Sequence, residues 1–171
     1  DLKLFPSLTL FENIQLKNQG YFHGESFSNP LTGSGKISLF KTIISGNYKN
    51  IGGLGLTINS STPMGNTLVE REFKAYELIG KEGIKRVYNI EPDINFGLNV
   101  SLEFNFWESE LNENNLTELE VYKSTDDGVN WSLQGGIIDT SNKILQLHGI
   151  SSFSKWTAGG GDITPLAAEL I

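Results

Sequence analysis

The chain has 171 residues, with 13 Lys and Arg against 20 Asp and Glu and a formal net charge of −7; this excludes the basic face by which proteins hold nucleic acid or anionic membrane. Hydrophobic residues make up 38% and charged residues 19%, the balance of a folded domain with its own core, and no apolar run reaches the about 18 residues that span a bilayer. There is no cysteine, which removes disulfides and thiolate metal sites.

Beginning at Asp1 with no Met and no signal-like run, the sequence reads as a processed product or an excised fragment. Residues 1–45 carry strand-like pieces at 2–10, 13–17 and 36–45 but no single clean alternation. Two fates are open to this stretch: extra strands for the domain that follows, or the last turn of a repetitive β-structure. From residue 46 onward short apolar runs at 54–59, 67–73 and 85–90 are punctuated by Gly52-Gly53, Pro63-Met64-Gly65 and Gly80 to Gly83, the spacing of strands joined by turns.

The clearest strand is LNVSLEFNFW, residues 98–107. Leu98, Val100, Leu102, Phe104 and Phe106 share one face while Asn99, Ser101, Glu103, Asn105 and Trp107 share the other, the period of two of a half-buried antiparallel strand. Residues 110–119 hold the one candidate helical turn, and further strands are expected at 118–124, 130–134, 143–148 and 153–157. About ten short strands at this spacing predict an all-β antiparallel sandwich over 46–158. Residues 159–171, AGGGDITPLAAELI from Ala158 on, read as a glycine hinge and an apolar tail. No long internal repeat is apparent, and Asp-Gly-x-x-Trp occurs once, which excludes a propeller of recurring copies.

The segment STDDGVNW, residues 124–131, holds Ser124, Asp126, Gly128 and Trp131. Ser124 and Asp126 are suited to accept hydrogen bonds from turn amides, Gly128 to take a positive φ, and Trp131 to lie over the hairpin. This pattern resembles the Asp-box, and the resemblance implies a structural turn away from any chemistry. Asp126 and Asp127 are the candidate calcium ligands, since carboxylate oxygen suits Ca²⁺ although six to eight ligands are needed; no other cofactor is expected.

Around this hairpin stand NIGGLGLTI (50–58), GNTLVERE (65–72), GIKRVYNIEP (83–92), LNVSLEFNFWESELN (98–112), LEVYKSTDDGVNW (119–131) and ISSFSKWTAGG (150–160). In this order they resemble a module of secreted and surface proteins of Bacteroidota, found ahead of a PLPVEL-type segment where this chain has TPLAAELI. The resemblance implies export by the type IX route, a place at the cell surface and an accessory or adhesin-like role. It implies no catalytic residues.

Other candidates are weaker. His23 and His148, without Cys or HExxH, read as ordinary turn or surface residues. TGSGKIS (32–38) lacks the first glycine and the Ser or Thr of a phosphate loop. Glu108 and Glu110 read as solvated charges at a strand end rather than a glycosidase pair, and Arg71 and Arg86 as surface ion-pair partners of Glu70 and Glu72. Asn59, Asn99, Asn115 and Asn130 head N-x-S/T sequons of no consequence here. Trp107, with Asn105, Glu103 and Asn99 beside it, is the candidate glycan platform.

The expected function is a non-enzymatic, extracellular structural or adhesin-like β-module that joins other protein modules or copies of itself by strand addition. The alternative is a carbohydrate-binding module using Trp107. A glycoside hydrolase fragment ranks last, its carboxylates lying in turns. Neither nucleic acid nor membrane insertion is expected.

Overall fold

The computed structural model describes residues 2–3, 8–16 and 20–160; the TPLAAELI segment lies outside them. The fold is all-β, with sixteen strands and three short 3-10 turns among the described residues. The N-terminal part supplies β1 (Leu2–Lys3), β2 (Leu8–Leu10), β3 (Ile14–Leu16), β4 (Phe22–His23), β5 (Leu31–Gly33) and β6 (Lys36–Ile43). After β7 (Gly46–Tyr48) come β8 (Leu56–Ser60), β9 (Gly65–Glu72), β10 (Val87–Pro92) and β11 (Val100–Asn105). The last five are β12 (Leu119–Ser124), β13 (Ser132–Gly135), β14 (Ile137–Asp139), β15 (Ile144–Ile150) and β16 (Lys155–Gly160).

Two sheets form the body. One has seven strands in the order β13-β12-β16-β10-β9-β6-β3, the other five in the order β14-β15-β11-β8-β7. Their facing side chains belong to one core: Ile37, Val69, Tyr88, Ile90 and Trp156 from the first, Leu56, Ile58, Val100, Leu102, Phe104 and Leu145 from the second. Tyr88 and Phe104 meet across the interface with ring centroids 5.1 Å apart, within the range of favourable aromatic pairs. The even-numbered residues of β11 are buried and the odd ones half-exposed, as its period of two requires.

The first forty-five residues are no separate unit. β6 runs antiparallel to β9 over eight residues, Lys36 opposite Glu72 through Ile43 opposite Gly65, so the seven-stranded sheet crosses the expected boundary. Upstream of that, three pairings are parallel: β1 with β4, β2 with β5 and β3 with β6. The chain makes two stacked coils, and Leu8, Thr9, Ile14 and Leu16 stand opposite Leu31, Thr32, Ile37 and Leu39.

The stacking exposes a 23-residue repeat: L-T-x-x-x-x-I-x-L is written at 8–16 as LTLFENIQL and again at 31–39 as LTGSGKISL. Gly33, at φ +122°, lets the coils close, for a Cβ there would lie 2.0 Å from the Leu10 carbonyl oxygen. At the other end, Gly159 and Gly160 are not a hinge. They are the last two residues of β16, buried opposite Glu120 and Leu119.

Candidate functional site

The turn between β12 and β13 is a closed hydrogen-bond cycle. Ser124 Oγ accepts from Gly128 N at 2.8 Å and pairs with Asp126 Oδ1 at 2.8 Å. Asp126 Oδ1 also accepts from Asn130 N at 2.8 Å, and its Oδ2 from Asn130 Nδ2 at 2.6 Å. Trp131 Nε1 donates to the Gly128 carbonyl at 3.1 Å, while the buried Trp131 ring meets Tyr76 edge-on at 5.3 Å. Gly128 takes φ +90° directly against the Tyr76 ring. The donors on Asp126, Asn130 N first, hold its carboxyl down to about 2. Both of its oxygens are thereby engaged, and Asp127 Oδ1 is held by Lys155 Nζ at 2.6 Å. Among the described residues no group of three or more His, Asp or Glu gathers to hold a metal.

Ser124, Thr125 and Asp127 form one wall of a concavity of about 750 Å³ on the outer face of the seven-stranded sheet; Gly33 to Lys36 belong to its lining as well. Its floor carries acids and bases that neutralise each other. Lys155 Nζ lies 3.0 Å from Glu72 Oε1 and 3.1 Å from Tyr76 Oη, which itself donates to Glu72 Oε2 at 2.9 Å. Lys36 Nζ lies 2.9 Å from Glu70 Oε2. Burial works to lower the Lys155 ammonium, but the Asp127, Tyr76 and Glu72 partners outweigh it and hold it above its usual range. Burial likewise works to raise Glu72, and the Lys155 hydrogen bond overrides it and brings it below 4.5. Catalytic acids and bases are poised near the operating pH; these two groups are driven away from it. In the TGSGKIS segment, Gly35 N donates to Leu10 O at 2.9 Å and Lys36 N to Asn13 Oδ1 at 3.1 Å.

Arg71 and Arg86 are not surface residues. Both are buried, and the acids they meet are Glu25 and Glu110. The reason lies in strand parity: Thr67, Val69 and Arg71 point inward on β9 while Glu70 and Glu72 point outward. Arg71 grips Glu25 through Nη1 and Nη2, each at 2.6 Å, and reaches Glu110 Oε1 at 2.9 Å. Arg86 takes Glu110 through Nε and Nη2, both at 2.9 Å. Tyr88 Oη donates to Leu54 O at 2.7 Å, and Arg86 Nη1 to Tyr88 Oη at 3.1 Å. Glu110, expected as a solvated edge charge, is therefore one of a buried quartet with Glu25, Arg71 and Arg86; Glu108 stays exposed and pairs with Lys143 at 3.0 Å. Burial raises the Glu25 carboxyl, yet Arg71 and then Arg86 more than offset this and leave it below 4.5.

The four platform residues do not make a flat exposed surface. Trp107 is half-buried just past β11, its Nε1 shut from solvent, and its backbone N–H donates to Glu110 Oε2 at 2.8 Å. Asn105 is half-buried too, with Oδ1 enclosed. Glu103 accepts from Gln146 Nε2 at 3.3 Å, and Asn99 sits exposed ahead of the strand. Trp107 and Asn105 instead border a hollow of about 340 Å³ with Tyr21, His23 and Asn50. His23 lies against Tyr21 at 4.5 Å, and His148 Nδ1 is 2.8 Å from Ser101 Oγ.

No family model, no curated protein and no solved structure matches the chain.

Proposed function

We propose that the chain is a non-enzymatic structural module of an exported or surface protein, adhesin-like in role, that joins its neighbours by strand addition. One observation carries the reading: three parallel strand pairs stack two coils on the sandwich and leave the outer edge of the first coil without a ladder partner among the described residues. Free strand edges recruit strands. Glu70, Glu72 and Asp127 of the concavity are paired with lysines and Glu25 and Glu110 of the interior with arginines, which favours a scaffold over acid–base chemistry.

Assembly tests the reading. Sedimentation velocity and negative-stain microscopy, with amide exchange of residues 8–16, are expected to detect self-association or docking of an added β-segment at that edge. A strictly monomeric chain with residues 8–16 unprotected under every such condition overturns it.

A glycan site at Trp107 is the second reading. The company of Tyr21, His23, Asn50 and Asn105 around one hollow favours it, since rings and amides are what sugars use. Glycan-array binding lost in Trp107→Ala would support it, and a blank array removes it.

A further inference from the structure

The first coil's three strands lie in three different sheets. Among the described residues β1 pairs only with β4 and β2 only with β5, while β3 is the edge of the seven-stranded sheet through β6. All three pairings are parallel. A strand from the edge of another copy's flat sheet can satisfy one of these edges. It does not satisfy three that belong to three separate sheets. The shape that fits them together is another coil.

The coil beneath shows what such a partner looks like. In the register of the two coils Leu31, Thr32, Ile37 and Leu39 pair with Leu8, Thr9, Ile14 and Leu16. Thr9 Oγ1 lies 3.1 Å from Thr32 Oγ1, a hydroxyl pair stacked between levels. At these four of the eight paired positions the same residue type recurs 23 residues on, as in stacked repeats where each repeat touches only its neighbours, while β1 and β4 pair unlike residues 20 apart, Leu2 with Phe22 and Lys3 with His23.

The stack is anchored to the sandwich on its inner side. On its inner side β6 is consumed by β9, and Glu25 of the second coil is committed to Arg71 and Arg86. The second coil thus meets the sandwich through β6 and Glu25, while β4 and β5 have no second ladder partner among the described residues.

We infer that the outer edge of the first coil receives a third parallel coil built on the same pattern, supplied by sequence joined ahead of residue 1, with its Leu-Thr 23 residues before Leu8-Thr9. The sandwich is then the cap of a coil stack. This rests on the strand-addition reading and names its partner.

The test is the full chain carrying an N-terminal extension in which L-T-x-x-x-x-I-x-L is placed 23 residues ahead of Leu8, beside the same extension scrambled. The patterned extension is expected to slow amide exchange in residues 8–16 by roughly tenfold or more, because those amides then open only with the stack, and to raise the melting temperature; the scrambled one does neither. An extension that exchanges like unfolded chain and leaves 8–16 unchanged overturns the inference. Concentration-dependent protection of 8–16 in the unextended chain, with a dimer in sedimentation, overturns it in favour of a second copy while strand addition stands. Neither protection nor self-association in any of these chains removes both.

Discussion

Glu25 and Arg71 face each other through two hydrogen bonds of 2.6 Å, one from each terminal nitrogen. The two come from different parts of the chain: Glu25 lies in the second coil between β4 and β5, Arg71 near the end of β9 inside the sandwich. Without Glu25, two buried guanidinium groups share the single carboxylate of Glu110. The coil is therefore part of the sandwich's charge balance as well as of its sheet.

Glu25→Gln tests this dependence. The neutral isostere leaves a buried positive charge uncompensated, and breaking such a pair costs about 3–5 kcal/mol. Urea unfolding of the variant is expected to show a loss of this size. The sign of the pH effect follows from the depressed carboxyl: Glu25 contributes stability above its unfolded value of 4.5, and that contribution is lost as pH falls through the lower folded value. The wild-type chain loses this increment on acidification below 4.5, and Glu25→Gln flattens that limb. Equal acid sensitivity in both would mean that the quartet is not what the carboxylate serves.

Much of the architecture was open to inspection in the residues themselves. The alternation of 98–106 predicted the core face of β11, and the turn chemistry of 124–131 predicted its hairpin. Charge alone does not betray the buried arginines; strand parity does, since Arg71 shares the inward side with Val69, and Arg86 with Tyr88 and Ile90. The 23-residue repeat is faint in the sequence because only four of its positions recur, and Gly33-Ser34-Gly35 in one copy stands where Leu10-Phe11-Glu12 stands in the other. Parallel stacking asks for identity only at the stacked positions and leaves the corners free.

The hairpin cycle gives the second prediction. Ser124 is buried, and its Oγ both receives the Gly128 amide and meets Asp126. Ser124→Ala is expected to cost about 1–2 kcal/mol, the loss of a buried hydrogen-bonding hub. In Asp126→Ala the amide protons of Gly128 and Asn130 are expected to exchange faster, with β9 and β10 unchanged. By carbon-detected titration, Asp126 is expected to protonate at about 2, below its unfolded 3.8, so the turn keeps its fastening above 3.8 and loses it only as pH falls through 2. Titration at the ordinary value would mean the cycle does not hold in solution.

Two glycines with similar backbone angles separate strain from crowding. Gly128 has φ +90° and a Cβ there would sit 2.4 Å from Tyr76 Cε1; Gly80 has φ +77° and open space around it. Gly80→Ala pays only the left-handed backbone penalty of about 1–2 kcal/mol. Gly128→Ala adds displacement of the Tyr76 ring and of its contact with Trp131, and is expected to be the more destabilising of the two in thermal melts. A Gly128→Ala variant as stable as Gly80→Ala would place Tyr76 elsewhere.

Lys155 joins the hairpin to the concavity floor, with Glu72 at 3.0 Å and Asp127 at 2.6 Å. Its β16 backbone is central to the seven-stranded sheet, between β12 and β10, so Lys155→Met keeps the strand and removes the charge. Hydrogen bonds to charged groups contribute about 1.5–3 kcal/mol, and because Asp127 is largely exposed the lower end of that range is expected. The sharper signature is Glu72. It is held below 4.5 chiefly by Lys155 against the opposing effect of burial, so removing the ammonium is expected to move its titration upward, visible by NMR. Glu72 contributes stability above its unfolded value and loses it as pH falls through the folded one; the variant therefore loses less stability than wild type across the acid range below 4.5. A Glu72 that titrates unchanged in Lys155→Met would mean that Lys74, 3.4 Å away, is its effective partner.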